Sequence, residues 1–131
     1  MNHVLSLHHC AYRITPNNLE FVMELFTKLG CKESYWERGA RWGMIEQEGK
    51  DTIVQFHEAD QEPQDTEVKR NSHIGFLSDD PEESIADLKE WISSKGIMFE
   101  NGSWSDRELY FDCPQVFVDF VIEIMHKSIV E

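Results

Sequence analysis

Apolar and polar positions alternate from Leu5 to Ile14. This predicts a strand with Leu5, Leu7, His9, Ala11 and Arg13 on one face and Ser6, His8, Cys10, Tyr12 and Ile14 on the other. The period then changes. Leu19, Val22, Met23, Phe26 and Leu29 recur at helical spacing behind Thr15-Pro16, a hydroxyl cap followed by a proline in the first turn, and Gly30 closes the helix. From Cys31 to His57 the helical period is gone. Tyr35-Trp36-Glu37, Arg41 to Ile45 and Thr52 to His57 read as strands, with turns at Arg38-Gly39-Ala40 and Glu48-Gly49-Lys50-Asp51.

Ala59 to Arg70 is polar, contains Pro63 and reads as a linker. The opening pattern then returns. Ser72 to Ser78 predicts a strand, and Asp79-Asp80-Pro81-Glu82-Glu83 predicts a helix start, with carboxylates at the positive end of the helix dipole. Ile85, Leu88 and Ile92 form its stripe and Gly96 ends it. Ile97 to Phe99, Glu108 to Asp112 and Val116 to Met125 read as strands, separated by turns at Asn101-Gly102 and Cys113-Pro114.

The two halves therefore repeat one order: strand, proline-started helix, glycine stop, strands. Single residues follow the repeat. His9 and His73 lie in the first strands, Pro16 and Pro81 after them, and Gly30 and Gly96 at the helix ends. Gln55 and Glu123 lie in the last strands. The expected organisation is one domain over residues 1–131, with module one at 1–58, a linker at 59–70 and module two at 71–131.

Composition narrows the function. The chain has 131 residues, 40% hydrophobic, enough for a packed interior. Its formal net charge of -13 repels phosphate backbones and anionic membranes and attracts cations. Met1-Asn2-His3-Val4 opens without a basic leader, and no apolar run reaches membrane-span length. Cys10, Cys31 and Cys113 are an odd number without paired spacing, which points to a reduced, cytoplasmic setting.

Leu7-His8-His9-Cys10-Ala11-Tyr12-Arg13-Ile14, followed by a helix ending Lys28-Leu29-Gly30, resembles the opening of a vicinal oxygen chelate protein. That superfamily holds glyoxalase I, fosfomycin-resistance proteins, extradiol dioxygenases, methylmalonyl-CoA epimerase and bleomycin-binding proteins. Asn71-Ser72-His73-Ile74-Gly75-Phe76 resembles its second-module opening, and Phe120-Val121-Ile122-Glu123-Ile124-Met125 its last strand. The resemblance spans nearly the whole chain. It implies an α+β fold of two βαβββ modules whose curved mixed sheets surround a cavity, and a homodimer.

The resemblance also implies a divalent metal (Zn, Ni, Mn or Fe), with one ligand from the first and one from the last strand of each module. By position these are His9, Gln55, His73 and Glu123. Imidazole, amide oxygen and carboxylate suit such an ion, and open positions on it chelate two neighbouring oxygens of a substrate. Glu123 is also the candidate base. Alternatives stay open. Asp119 shares a face with Glu123 if the last strand is regular. His57 shares one with Gln55, and a bulge would exchange His8 for His9.

Two functions follow as expectations. One is a glyoxalase-like metal-dependent lyase or isomerase acting on a small oxygenated substrate. The other is a non-catalytic protein, similar to bleomycin-resistance members, that sequesters a cationic aromatic molecule. Its motivation is the acidic charge together with Trp36, Trp42 and Trp104, whose rings would stack on such a ligand. Trp91 lies on the second helix and is read as packing.

Overall fold

The computed structural model describes residues 4–131. Met1, Asn2 and His3, read above for the absence of a leader, lie outside the described residues. The chain divides into two compact units, Met1–Ala59 and Asp60–Glu131.

The first unit runs β1 (His9–Ile14), α1 (Leu19–Lys28), β2 (Lys32–Tyr35), β3 (Trp42–Glu46) and β4 (Ile53–Glu58). Its sheet has the order β1-β4-β3-β2, with β1 parallel to β4 and the other pairs antiparallel. The helix stripe explains the packing. Leu19, Val22, Met23, Leu25 and Phe26 are buried, as are Ile14, Ile45, Val54 and Phe56 of the sheet. Phe26 and Phe56 meet with ring centroids 4.6 Å apart.

Two sequence expectations shift here. The strand expected from Leu5 begins at His9, because the register His9↔Ile53 leaves no β4 residue opposite Leu5 to His8; Leu7 is consequently 91% exposed. The helix expected from Thr15-Pro16 starts at Leu19. Asn17 takes a left-handed backbone (φ 67°) that breaks the path, and Asn18 occupies the cap position. Asn18 gives its amide to the Thr15 hydroxyl at 2.8 Å, so Thr15 stabilises the turn before the helix.

The second unit runs α2 (Thr66–Lys69), β5 (His73–Ser78), α3 (Pro81–Ser94), β6 (Glu100–Ser105), β7 (Glu108–Asp112) and β8 (Val121–His126). The sheet order β5-β8-β7-β6 repeats that of the first unit, again with one parallel pair, β5 with β8. Each unit is thus a βαβββ arrangement with a mixed four-stranded sheet, and the α+β expectation holds. Ile85, Leu88 and Ile92 of α3 are buried, with Phe111, Ile122 and Ile124 in the sheet. The Asp80 carboxylate accepts from the Glu83 amide at 3.1 Å, as the Asp-Pro-Glu-Glu start predicts. Asp80→Ala is expected to lower stability by about 1 kcal/mol, measured by denaturant unfolding.

Four readings are adjusted in this unit. Asn101-Gly102 is strand rather than turn, and β6 reverses instead at Asp106-Arg107. Val116 to Phe120 precedes the last strand. Its apolar side chains are buried as a plug, with Phe117 and Phe120 stacked at 4.4 Å. Ile97 to Phe99 is an irregular approach to β6. The stretch read as linker contains α2. No helix among the described residues is long and apolar enough to cross a membrane.

Candidate functional site

Register places the candidate residues. Cross-strand partners share a sheet face. In the first unit Ala11↔Gln55 and Met44↔Gln55 form one row, with His9 two residues before Ala11. In the second unit Gly75↔Glu123 and Tyr110↔Glu123 form the matching row, with His73 two residues before Gly75. His9 and His73 thus occupy equivalent register positions, and so do Gln55 and Glu123. All four lie on the sheet face opposite the buried residues that meet the helix.

The row in the second unit extends to β6 as Gly102↔Tyr110↔Glu123↔Gly75. Glycine at both ends has a steric reason. A Cβ on Gly102 would sit 2.5 Å from the Tyr110 hydroxyl, and one on Gly75 would sit 3.1 Å from Glu123 Oε1. The two glycines let the phenol and the carboxylate lie down along the sheet. Gly102 is therefore a close-approach residue inside a strand, which is why it mimics a turn signal in the sequence. Gly102→Ala is expected to displace the Tyr110 ring at a cost of about 1–3 kcal/mol. It should also shift the emission of Trp104, whose ring centroid is 4.8 Å from that of Tyr110.

His73 is oriented from behind. Its Nδ1 lies 3.0 Å from the Arg70 carbonyl, an acceptor only, so Nδ1 carries the proton and donates. In the neutral ring this leaves a lone pair on Nε2, which faces Glu123 Oε1 at 3.5 Å, longer than a good hydrogen bond. Burial pushes the Glu123 carboxyl above the usual 4.5; His73 opposes the shift and Glu108 adds to it. With the ring neutral and the carboxylate ionised, two electron-pair donors converge without a proton between them, and a cation would satisfy both. An imidazole with its other N–H on a backbone carbonyl is the arrangement that metal-binding histidines require. The donor set fits a divalent ion.

Aromatic rings line the same face. Trp104, 38% exposed, packs on His73 at 5.1 Å as well as on Tyr110, and the Arg70 guanidinium comes within 3.5 Å of the Tyr110 hydroxyl. In the first unit Trp42 stacks on Tyr35 at 5.1 Å, on the face that carries Gln55 and His57. Trp36 is covered instead by Arg38, 3.4 Å above its ring.

The structure therefore joins His73 to Glu123 and places His9 and Gln55 on the first sheet. His9 is exposed, its Nδ1 2.9 Å from that of His8, while Gln55 is half-buried. Among the described residues, no group of three or more His, Cys, Asp and Glu side chains comes together. Asp119 lies before the last strand, so alternation does not link it to Glu123. His57 remains on the Gln55 face, beside Arg13. Burial raises the Cys31 thiol to about 11 and pushes Cys113 higher still, which makes both poor nucleophiles. Arg70 acts through its backbone carbonyl, and no side-chain pattern signals such a role.

Taken together, the repeated βαβββ order and shared register define the fold of the vicinal oxygen chelate proteins. Solved structures with this fold include FosX, a fosfomycin resistance protein from Listeria monocytogenes. It is 17% identical, with 94% of this chain and 92% of that one covered and a TM-score of 0.58. A putative glyoxalase from Bacillus halodurans is 15% identical, with 92% and 94% covered and a TM-score of 0.59. TnmS3, an antibiotic binding protein from a Streptomyces species, is 17% identical, with 95% and 98% covered and a TM-score of 0.55. A mutant of the Listeria FosX has been solved with Mn(II) and 1S,2S-dihydroxypropylphosphonic acid. At the level of sequence, no family model and no curated protein matches the chain.

Proposed function

We propose that the chain is a glyoxalase-like metal-dependent lyase or isomerase acting on a small oxygenated substrate, with His9, Gln55, His73 and Glu123 holding a divalent metal. The observation that carries this reading is the convergence of the His73 Nε2 lone pair and the Glu123 carboxylate, with His73 fixed by the Arg70 carbonyl. The Mn(II) complex of a FosX on the same fold supports it. Bound there, the metal would polarise two neighbouring substrate oxygens. Glu123 is the candidate to take a proton from the substrate, as a carboxylate in register beside the proposed metal site. Tyr110 and Arg70 stand beside it to hydrogen-bond the substrate. A homodimer belongs to this reading through the resemblance to the family alone.

The test is elemental analysis of protein purified without chelator, beside His73→Ala. Stoichiometric metal in the wild type and its loss in the variant is the expected result. A wild type still metal-free after incubation with Zn²⁺, Ni²⁺ and Mn²⁺ overturns the reading.

A second reading is non-catalytic sequestration of a cationic aromatic molecule. It is favoured by Trp104 and Tyr110 lying on one face with Glu108 and Glu123. TnmS3, an antibiotic binding protein, shares the fold. Tryptophan fluorescence titrated with planar cationic dyes is expected to quench in the wild type and to lose this response in Trp104→Ala. A flat wild-type titration rejects this reading.

A further inference from the structure

The carbonyl that orients His73 belongs to a segment held by charge. α2 is a single turn whose Val68 is 58% exposed; its buried residue is Lys69, fully inaccessible to solvent. The Lys69 ammonium lies 3.0 Å from Asp112 Oδ1 and donates to the Phe117 carbonyl at 2.6 Å. The Thr66 hydroxyl donates to Asp112 Oδ2 at 2.6 Å and lies 3.3 Å from Glu100 Oε2. Both ends of α2 are thereby tied to Asp112, the last residue of β7. From there the backbone is committed: the Arg70 amide bonds the Thr66 carbonyl at 3.0 Å and the Ser72 amide the Lys69 carbonyl at 2.9 Å. The Val121 amide, at the start of β8, then bonds the Ser72 carbonyl at 3.1 Å.

We propose that Lys69, Asp112 and Thr66 form a positioning group: the buried pair fixes α2, α2 fixes the Arg70 carbonyl, and that carbonyl sets the tautomer and direction of His73. Charge-assisted bonds have direction, which an apolar anchor lacks, and direction is what a carbonyl must have to hold a ring nitrogen. The role in metal binding rests on His73 being a ligand; the positioning itself does not.

The test reads the two apart. Two-bond ¹H–¹⁵N NMR correlations of the metal-free protein report which nitrogen of neutral His73 bears the proton. The wild type is expected to show Nδ1–H. Asp112→Asn, which keeps size and removes charge, is expected to move His73 toward Nε2–H. It should also speed amide exchange over residues 66–72 while leaving β8 beyond Val121 unchanged. If that variant fails to fold, Thr66→Val, which removes one hydroxyl, should move both readouts in the same direction. A folded variant that keeps the Nδ1–H form with unchanged exchange overturns the proposal, as does a wild type already in the Nε2–H form. Zn²⁺ affinity, measured by competition with a chromophoric chelator, is expected to fall about 10- to 100-fold in the variant. A tautomer change in a protein whose wild type binds no Zn²⁺ supports the positioning group and overturns the metal reading alone.

Discussion

Glu123→Gln is expected to abolish the divalent-metal binding proposed above while raising the melting temperature of the metal-free form. Glu123 is 9% exposed, sits in register between Tyr110 and Gly75, and faces His73 Nε2, which in the neutral ring offers a lone pair rather than a proton. Burial and the Glu108 charge both disfavour its ionised state, and even a positive charge on His73 offsets this only in part. The amide of glutamine has nearly the same shape and no charge to desolvate. The first sheet already holds glutamine at the equivalent position, Gln55 beside Ala11, so the register accommodates it. Metal affinity should fall by more than the roughly 100-fold typical of losing a supporting hydrogen bond, because a charged ligand is removed. Thermal unfolding of the apo proteins and elemental analysis of the purified ones check both halves. A lowered melting temperature would mean that the carboxylate serves the fold. Undiminished metal would mean that the ligand lies elsewhere.

The same pair of residues shows what the sequence could and could not reveal. Strand alternation and the repeat pair His9 with His73 and Gln55 with Glu123 from the chain alone, while their nomination as ligands came from the family resemblance. The structure places them at equivalent register positions. The choice between Glu123 and Asp119 needed the start of the last strand. Val116 to Phe120 is as apolar as a strand but folds into the core ahead of it, so periodicity overran the boundary. Gly102 failed for a related reason. Asn-Gly is a turn signal when backbone freedom is what matters, whereas here the missing Cβ makes room for Tyr110, a contact set by β7. The first helix start misled because Thr15-Pro16 satisfies the local rule, yet Asn17 turns left-handed before the helix begins. Least legible was the linker. Its polar composition hides Lys69, whose buried partner Asp112 lies 43 positions onward, beyond the reach of any local pattern.

Lys69→Met is expected to destabilise the fold by about 3–5 kcal/mol, because it leaves Asp112 ionised and fully buried without its cation. Lys69→Met combined with Asp112→Leu is expected to stay near wild-type stability or exceed it, since an apolar pair of similar volume has no charges to desolvate. The direction of the Asp112 shift supports this. Burial drives its carboxyl above the ordinary 3.8, and the Thr66 hydroxyl and Lys69, which pull it down, do not cancel the effect; Glu100 adds to the rise. A raised folded-state value means that the folded protein binds this proton more tightly than the unfolded chain. Stability contributed through Asp112 therefore decreases as pH climbs from the ordinary value through the raised one, and returns on acidification. In Lys69→Met that slope should steepen, because one of the groups holding the carboxyl down is gone. In the double variant the Asp112 part of the slope should vanish. Denaturant unfolding from mildly acid to neutral pH separates these cases. A Lys69→Met protein as stable as wild type at neutral pH would show that the carboxylate finds another partner. The charge pair would then fix the direction of α2 without being needed to hold the fold.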